Sequence, residues 1–513
     1  MAESSSLRYG DLVSLVIYFI IMLSIGYWCS RRLKSTEGYF VGSRKIPSWA
    51  VAFSLVGAAI SSVTFLAYPG SAFDTNWSML VPGLTIPIAA LLAVLFFVPF
   101  YRKARLVSVY EYLEMRYGVW ARIYGCIMFT IYSFFRMGVV LYLLSLPVKT
   151  LTGWDTYISI LVMGVIVTIY TVIGGIEAVI WTDVVQTVIF ILGGLFCIAT
   201  IFLDTPGGPA TIFSEGWANS KFNLSVNFDL NFANETLWVL ILFGLFQNLQ
   251  EFASDQTKIQ RYCAADSDKG AKRAAFYSGV GCIPIWVMFM FVGTCLWVYY
   301  QHFPEAAVTQ MKPDRVFPHF ILTKLPVGLA GFVIAAIIAA ALSSIDASMN
   351  GAATVMTSDI YRRHLAPGRN DRHYLNVAKI LTAVSGFFML VWALSLMKIE
   401  SSILPIAFAI YSVLAGGLGG LFFVGIFTKR ANSQGALIGV VLSLVVTVWM
   451  TLSALDQLPE SFNSPFHKLM INVISNIVSF AIGYFASYAF APPKPEQLAN
   501  LTVWTFKEDK EKA

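Results

Sequence analysis

The sequence predicts an all-α membrane protein, a single domain of about thirteen transmembrane helices. Three observations lead there. Hydrophobic residues make up 57% of the 513 and charged residues only 12%, with a mean hydropathy of +0.69; an ordinary soluble domain has about a quarter of its residues charged. Apolar runs long enough to cross a bilayer recur from end to end. No stretch is long and polar enough to fold as a separate soluble domain. The net charge of +6 does not point to nucleic acid, because the basic residues sit in short loops between apolar runs. The six cysteines (Cys29, Cys126, Cys197, Cys263, Cys282, Cys295) have no paired spacing and read as small buried hydrophobes.

Taken in order, the spans fall near 11–30, 48–68, 79–101, 121–148, 156–174, 184–203, 237–256, 275–300, 327–348, 376–397, 403–426, 434–453 and 468–490. No cleavage motif precedes the first, so no signal peptide is expected. Basic clusters follow the first span (Arg31 to Lys45), the third (Arg102, Lys103, Arg105), the seventh (Lys258 to Arg273), the ninth (Arg362, Arg363, Arg369) and the eleventh (Lys429, Arg430). Cytoplasmic loops carry the excess of Lys and Arg. The alternation therefore puts the N-terminus outside and the tail, 491–513, in the cytoplasm of a multi-pass inner-membrane protein.

Two spans look interrupted. The second carries Gly57-Ala58-Ala59-Ile60-Ser61-Ser62-Val63-Thr64 at mid-depth, and the seventh turns from apolar residues into Gln247-Asn248-Leu249-Gln250-Glu251-Phe252-Ala253-Ser254-Asp255-Gln256. Broken helices at membrane depth are tolerated where they face protein or water, and transporters bind ions with the freed backbone. The two lie five spans apart, as the first helices of two inverted five-helix repeats would; polar-lined helix contacts are the plainer alternative. The ninth span places Ser343, Ser344 and Asp346 in an otherwise small, apolar helix. An acid inside hydrocarbon costs ~2.5 kcal/mol or more, so it faces a partner or a wet cavity. Hydroxyl and carboxylate oxygens suit a hard cation such as sodium, although a Ser-rich packing seam would look similar. After Gly174-Gly175, Asp183 is expected near the cytoplasmic mouth of the sixth span, where a capping role is the simplest reading.

Ala178-Val179-Ile180-Trp181-Thr182-Asp183-Val184-Val185-Gln186 after the two glycines, with Ser343-Ser344, Ser348, Asn350 and Ser358-Asp359-Ile360-Tyr361 later, resembles the sodium:solute symporter family. The likeness spans essentially the whole chain and is strongest to bacterial sodium-coupled sialic acid transporters. The resemblance implies a LeuT-type fold. A leading helix (about 11–30) would precede two inverted repeats (about 48–203 and 237–426), followed by extra helices (about 434–490). It also implies sodium-driven uptake of a small solute by alternating access. One sodium site would use the carbonyls of Gly57, Ile60 and Ala340 with the hydroxyls of Ser343 and Ser344. A second would use Asp183 and Asp346, sharing Ser343. Substrate would meet Ser61, Ser62, Thr64 and Arg136.

Arg136 in mid-span needs an anionic partner, either a substrate carboxylate or an acid on another helix. This chain departs from the sialic acid branch at Gly83, where a Gln would contact substrate, and at Asp346 and Ala347, which replace serines. Asp346 could strengthen a sodium site or hold a proton beside Asp183. Ala59 and Thr64, where the hexose branch has Asn and Gln, argue against a neutral hexose. The expectation is a sodium symporter, and not an enzyme, for a small carboxylated solute such as sialic acid. Its partners are the solute, sodium and the lipid bilayer, with no nucleic acid and no obligatory protein. Alternatives are the same fold moving a neutral sugar derivative or amino acid, or a channel.

Overall fold

The computed structural model describes residues 9–224, 227–398, 410–411, 413–414 and 416–505. Its framework is helical throughout. The helices named below are α1 (Tyr9–Ser30), α2 (Ser48–Ala59), α3 (Ser62–Asp74), α4 (Val119–Thr152), α5 (Thr156–Asp204), α6 (Leu237–Ser254) and α7 (Gln256–Ala264). They continue with α8 (Asp268–His302), α9 (Leu329–Val355), α10 (Asp371–Leu396), α11 (Leu418–Phe427), α12 (Ser433–Ala454) and α13 (Met470–Ala486).

Among the described residues ten helical segments are long and apolar enough to cross a membrane, or eleven if the bent pair α2–α3 is one span. That falls short of thirteen at two places. The spans expected at 156–174 and 184–203 are two helices joined end to end without a loop, so that α5 runs over 49 residues with a kink inside it. At 1.5 Å per residue α5 has about 74 Å of helical rise in its two halves, more than twice the ~30 Å hydrocarbon thickness. It bends at Gly175 (φ 59°, ψ −154°), a conformation only glycine adopts readily, and a Cβ there would lie 2.8 Å from the carbonyl oxygen of Tyr39. The span expected near 403–426 lies partly outside the described residues, which include α11 at its end.

The centre of the bundle is α9, the alanine- and serine-rich helix. In its most apolar stretch 89% of residues are buried within the protein, against 28% for α1, so α9 is enclosed by helices and α1 faces lipid. Small residues make that enclosure close, since membrane helices without bulky side chains bring their backbones together. The start of α9 is fixed from outside. Asp11, in the first turn of α1, accepts the N–H groups of Gly328 (2.7 Å) and Gly331 (2.9 Å), two of the donors a helix start leaves unpaired.

Both expected interruptions exist, with different boundaries. The α2–α3 pair bends by 55° at Ile60 and Ser61. The polar run expected to end the seventh span does not break it: α6 stays helical through Gln247–Ser254, and the break is the single residue Asp255 (φ −83°, ψ 114°). The amides that looked like a disrupted helix are used laterally. Gln247 accepts from Asn472 (2.7 Å) and Gln250 from Asn476 (2.9 Å) of α13.

Candidate ion and substrate sites

At the first break Ile60 (φ −93°, ψ 134°) and Ser61 (φ −131°, ψ 173°) are extended and no side chain caps α3. The last carbonyls of α2 therefore stand at a helix end in the middle of the protein. Ser343 of α9 reaches them: its hydroxyl donates within 3.2 Å of the Gly57 carbonyl and 3.1 Å of the Ala340 carbonyl. Gly57 must lack a side chain for this approach, because a Cβ would sit 2.7 Å from Thr187 Oγ1 on α5. Ile60 and Ala340 are buried at the same contact. Ser344 is buried too, and its Oγ has no hydrogen-bond partner among the described residues. Neutral carbonyl and hydroxyl oxygens meeting in a dry seam, one of them unpaired, fit a desolvated monovalent cation.

A second cluster lies beside it. Asp183 is not a helix cap: it lies two turns beyond the kink at Gly175, inside the second half of α5, and is fully buried. Its Oδ2 accepts from Arg261 of α7 (2.9 Å) and from Ser54 of α2 (2.5 Å), and Arg261 also donates to Ser54 (2.7 Å). Asp346 of α9 accepts from Tyr170 (2.8 Å) and Thr182 (3.4 Å). Each carboxylate keeps one buried oxygen, Oδ1, without a hydrogen-bond partner among the described residues. Two acids and one guanidinium leave the cluster one positive charge short when both acids are ionised, and buried charge is tolerated only when balanced.

The expected substrate residues are more dispersed. Ser61 is half-buried at the break and Thr64 is buried on α3, whereas the side chain of Ser62 lies outside the described residues. Arg136 is half-buried on α4, its guanidinium 6.0 Å from the ring of Tyr132, with the charges of Asp255 and Glu251 acting on it from the second break. Among the described residues no hydrogen bond or ion pair joins Arg136 to Ser61 or Thr64. A cavity with ≈ 450 Å³ of empty space, lined by Tyr132, Gln247, Gln250, Glu251, Ser254 and Asp255 among others, borders this region. Glu251 pairs with Lys258 (2.5 Å) and accepts from Gln247 (2.9 Å). At Gly83 the structure explains the missing side chain, since a Cβ would lie 2.6 Å from the indole of Trp286.

Arg261, Ser54 and Tyr170 were not singled out as site residues from sequence. The only signal concerned Arg261, which with Lys258 is a candidate in sequence to pair with Glu251 or Asp255, and solvated loop charges would look the same. Their partners are 78, 129 and 176 residues away in the chain.

The chain was compared with known proteins against this geometry. Residues 39–443 match the pattern of the sodium:solute symporter family. The sodium/sialic acid symporter NanT of Aliivibrio fischeri is 34% identical over 492 residues, covering 95% of both chains. The sodium/sialic acid symporter SiaT of Proteus mirabilis is 33% identical, over 93% of this chain and 94% of that one. The substrate-bound, outward-open structure of a Na⁺-coupled sialic acid symporter superposes with a TM-score of 0.87 at 31% identity, covering 95% of this chain and 99% of that one. An all-α LeuT-like fold, a broken helix set against a serine-bearing one and a match over most of the length agree: the chain belongs to the sodium:solute symporter family of multi-pass membrane carriers, with sodium as the coupling ion.

Proposed function

We propose that this chain imports a small polar, carboxylated solute, with sialic acid the first candidate, together with sodium across the inner membrane by alternating access. One observation carries the reading: the hydroxyl of Ser343 bridges the carbonyls of Gly57 and Ala340 at the break, beside the unpaired hydroxyl of Ser344. Sodium replaces those hydrogen bonds with its own contacts to Gly57, Ile60, Ala340, Ser343 and Ser344, joining the broken helix to α9. A second sodium sits between Asp183 and Asp346, sharing Ser343 and supplying the missing positive charge. That two relatives over 30% identical are sodium/sialic acid symporters supports the solute class.

In this reading the two halves of α5 are separate spans and the stretch near 403–426 is another, giving thirteen. Spans two to six and seven to eleven are inverted repeats, each opened by a broken helix, and the N-terminus is outside. Solute binds Ser61, Ser62 and Thr64 at the first break, with its carboxylate on Arg136 as a bidentate pair. A second reading, a neutral sugar derivative or an amino acid, draws on Glu251 and Asp255, which already offset the charge of Arg136, and on Trp286, which occupies the space beside Gly83.

The test is uptake of radiolabelled N-acetylneuraminate into proteoliposomes, with an inward sodium gradient and with potassium in its place. Concentrative, sodium-dependent uptake that Arg136→Ala abolishes and Arg136→Lys partly retains is the expected result. Uptake untouched by Arg136→Ala removes the carboxylate role. Absent uptake of this solute, with sodium still stabilising the protein to heat, moves the search to neutral solutes and amino acids. Flux that never exceeds equilibration would make the protein a channel.

A further inference from the structure

A second built cavity lies at the end of α11. Phe427 and Thr428 end α11, and Lys429 and Arg430 follow directly. With Phe480 and Tyr484 of α13 and Trp504 beyond it they line a cavity with ≈ 730 Å³ of empty space. The chain folds back to make its wall: Val503 N donates to the Ile426 carbonyl (2.9 Å) and Trp504 Nε1 to the Phe427 carbonyl (2.7 Å). Those bonds satisfy carbonyls that a helix end leaves unpaired.

The charge on this wall is uncompensated. Arg430 spends one nitrogen on the Phe490 carbonyl (2.8 Å) and lies 4.8 Å from the Tyr488 ring, while its Nη1 is buried with no hydrogen-bond partner among the described residues. No acidic side chain lines the cavity, and among the described residues no acid pairs with Lys429 or Arg430. Exposed aromatics surround it: Phe485, Tyr488 and Trp504 are 69%, 57% and 65% accessible, the amphipathic girdle found where a protein crosses from hydrocarbon to headgroups. Arg116, on the short helix Tyr110–Tyr117, donates to the Thr428 carbonyl (3.1 Å), and Glu114 of the same helix pairs with Arg363. The cavity therefore shares its face with the basic loops that follow the third and ninth spans.

We propose that this cavity binds the headgroup of an anionic phospholipid. Lys429 and Arg430 hold the phosphate, with Arg430 Nη1 as its buried donor, and the glycerol and upper acyl chain lie on Phe427, Phe480 and Tyr484. A basic recess on the positive face of a membrane protein with an apolar floor is suited to such a lipid. The apolar floor separates this ligand from a soluble phosphate, which would gain nothing from it.

The experiment measures retention of phosphatidylglycerol and of phosphatidylcholine by the purified full-length protein, by native mass spectrometry. Wild type is expected to keep phosphatidylglycerol in preference to phosphatidylcholine, and Lys429→Gln/Arg430→Gln to lose about thirtyfold of that preference, the surface attraction of two basic groups. Arg430 also braces Phe490, so Lys429→Gln alone, which removes no hydrogen bond of the fold, is the control for misfolding; it is expected to lose about fivefold. Equal retention of both lipids by wild type, or an unchanged preference in Lys429→Gln, overturns the proposal. A preference that emerges only after residues 506–513 are deleted also overturns it, because that tail, in which three acids stand among three lysines, would then be the native occupant.

Discussion

The two broken helices solve the same problem in opposite ways. At Asp255 the break carries its own remedy: the aspartate side chain accepts from the backbone N–H of Thr257 (2.7 Å) and from its hydroxyl (2.5 Å), capping α7. Glu251 and Lys258 then pair across the break, one turn to each side. At Ile60–Ser61 there is no such remedy: Gly, Ala, Ala, Ile and Ser surround the break, and Ser61 makes no cap bond. Polar backbone in a dry interior has to find a partner, and here it comes from another helix, through Ser343. A break capped by its own side chains holds a shape, while one left to a neighbour can exchange that neighbour for an ion. The two meet through Ser54 and Arg261 on Asp183, and through backbone bonds linking Ile46 to Ala264 and Asp266.

The contrast can be broken most severely at that meeting point. Arg261→Gln leaves a fully buried carboxylate without its cation, and is expected to cost about 3–5 kcal/mol, read as a fall in the thermal unfolding midpoint; an unchanged midpoint would show that the pair carries no weight. Next comes Gly57→Ala, which sets a methyl against Thr187 and should cost about 1–3 kcal/mol while weakening the sodium dependence of uptake. Thr187→Ala, which removes the clashing atom, should restore much of both, and no rescue would mean the glycine serves another purpose. Asp255→Ala should lose about 1 kcal/mol as a lost cap, with Ser61→Ala near zero on the same denaturation assay. Equal losses would erase the distinction between the breaks.

The smallest effect concerns a charged cluster outside both breaks. Burial pushes the Glu114 carboxyl upward, but hydrogen bonds from Arg122 and Arg363 outweigh it and hold the group below the usual glutamate range. A depressed carboxylate gives stability that is fully present above its unfolded value, about 4.3, and lost as pH falls through the folded one. Glu114→Gln should therefore flatten the acid limb of the stability profile while leaving neutral-pH sodium dependence intact. A shifted sodium response in that variant would mean the first break feels this distant cluster.

The sequence made some of this legible and concealed the rest for identifiable reasons. The small-residue run before Ser343 announces a helix enclosed on all sides, because only close backbone packing explains so many alanines. The Gly57–Thr64 run announces a break because it sets small and hydroxylated residues at mid-depth between apolar runs. Asp183 was misjudged because Gly174-Gly175 reads as a turn followed by a connection, whereas the helix resumes directly after Gly175 and is two turns along at Asp183. The amides of α6 were misjudged as a disruption because their partners, Asn472 and Asn476, lie over 220 residues away. Trp286 over Gly83 left no local sign at all. Local composition reports how a segment relates to its own backbone; it is silent on which distant side chain completes it.

Asp11 gives that silence a time dimension. The glycine N–H groups it accepts lie 317 and 320 residues further along the chain. At a synthesis rate of about 5–20 residues per second, the first helix waits roughly 15–60 s before those groups have even been made. Throughout that interval α1 can already pack on α5, where Gln186 donates to Tyr18 (3.2 Å), but the acid at its start lacks its eventual donors until α9 arrives. One end of the first helix is thus fastened late, so a ribosome that stalls short of residue 328 leaves a product recognisable by an Asp11 still waiting for its glycines.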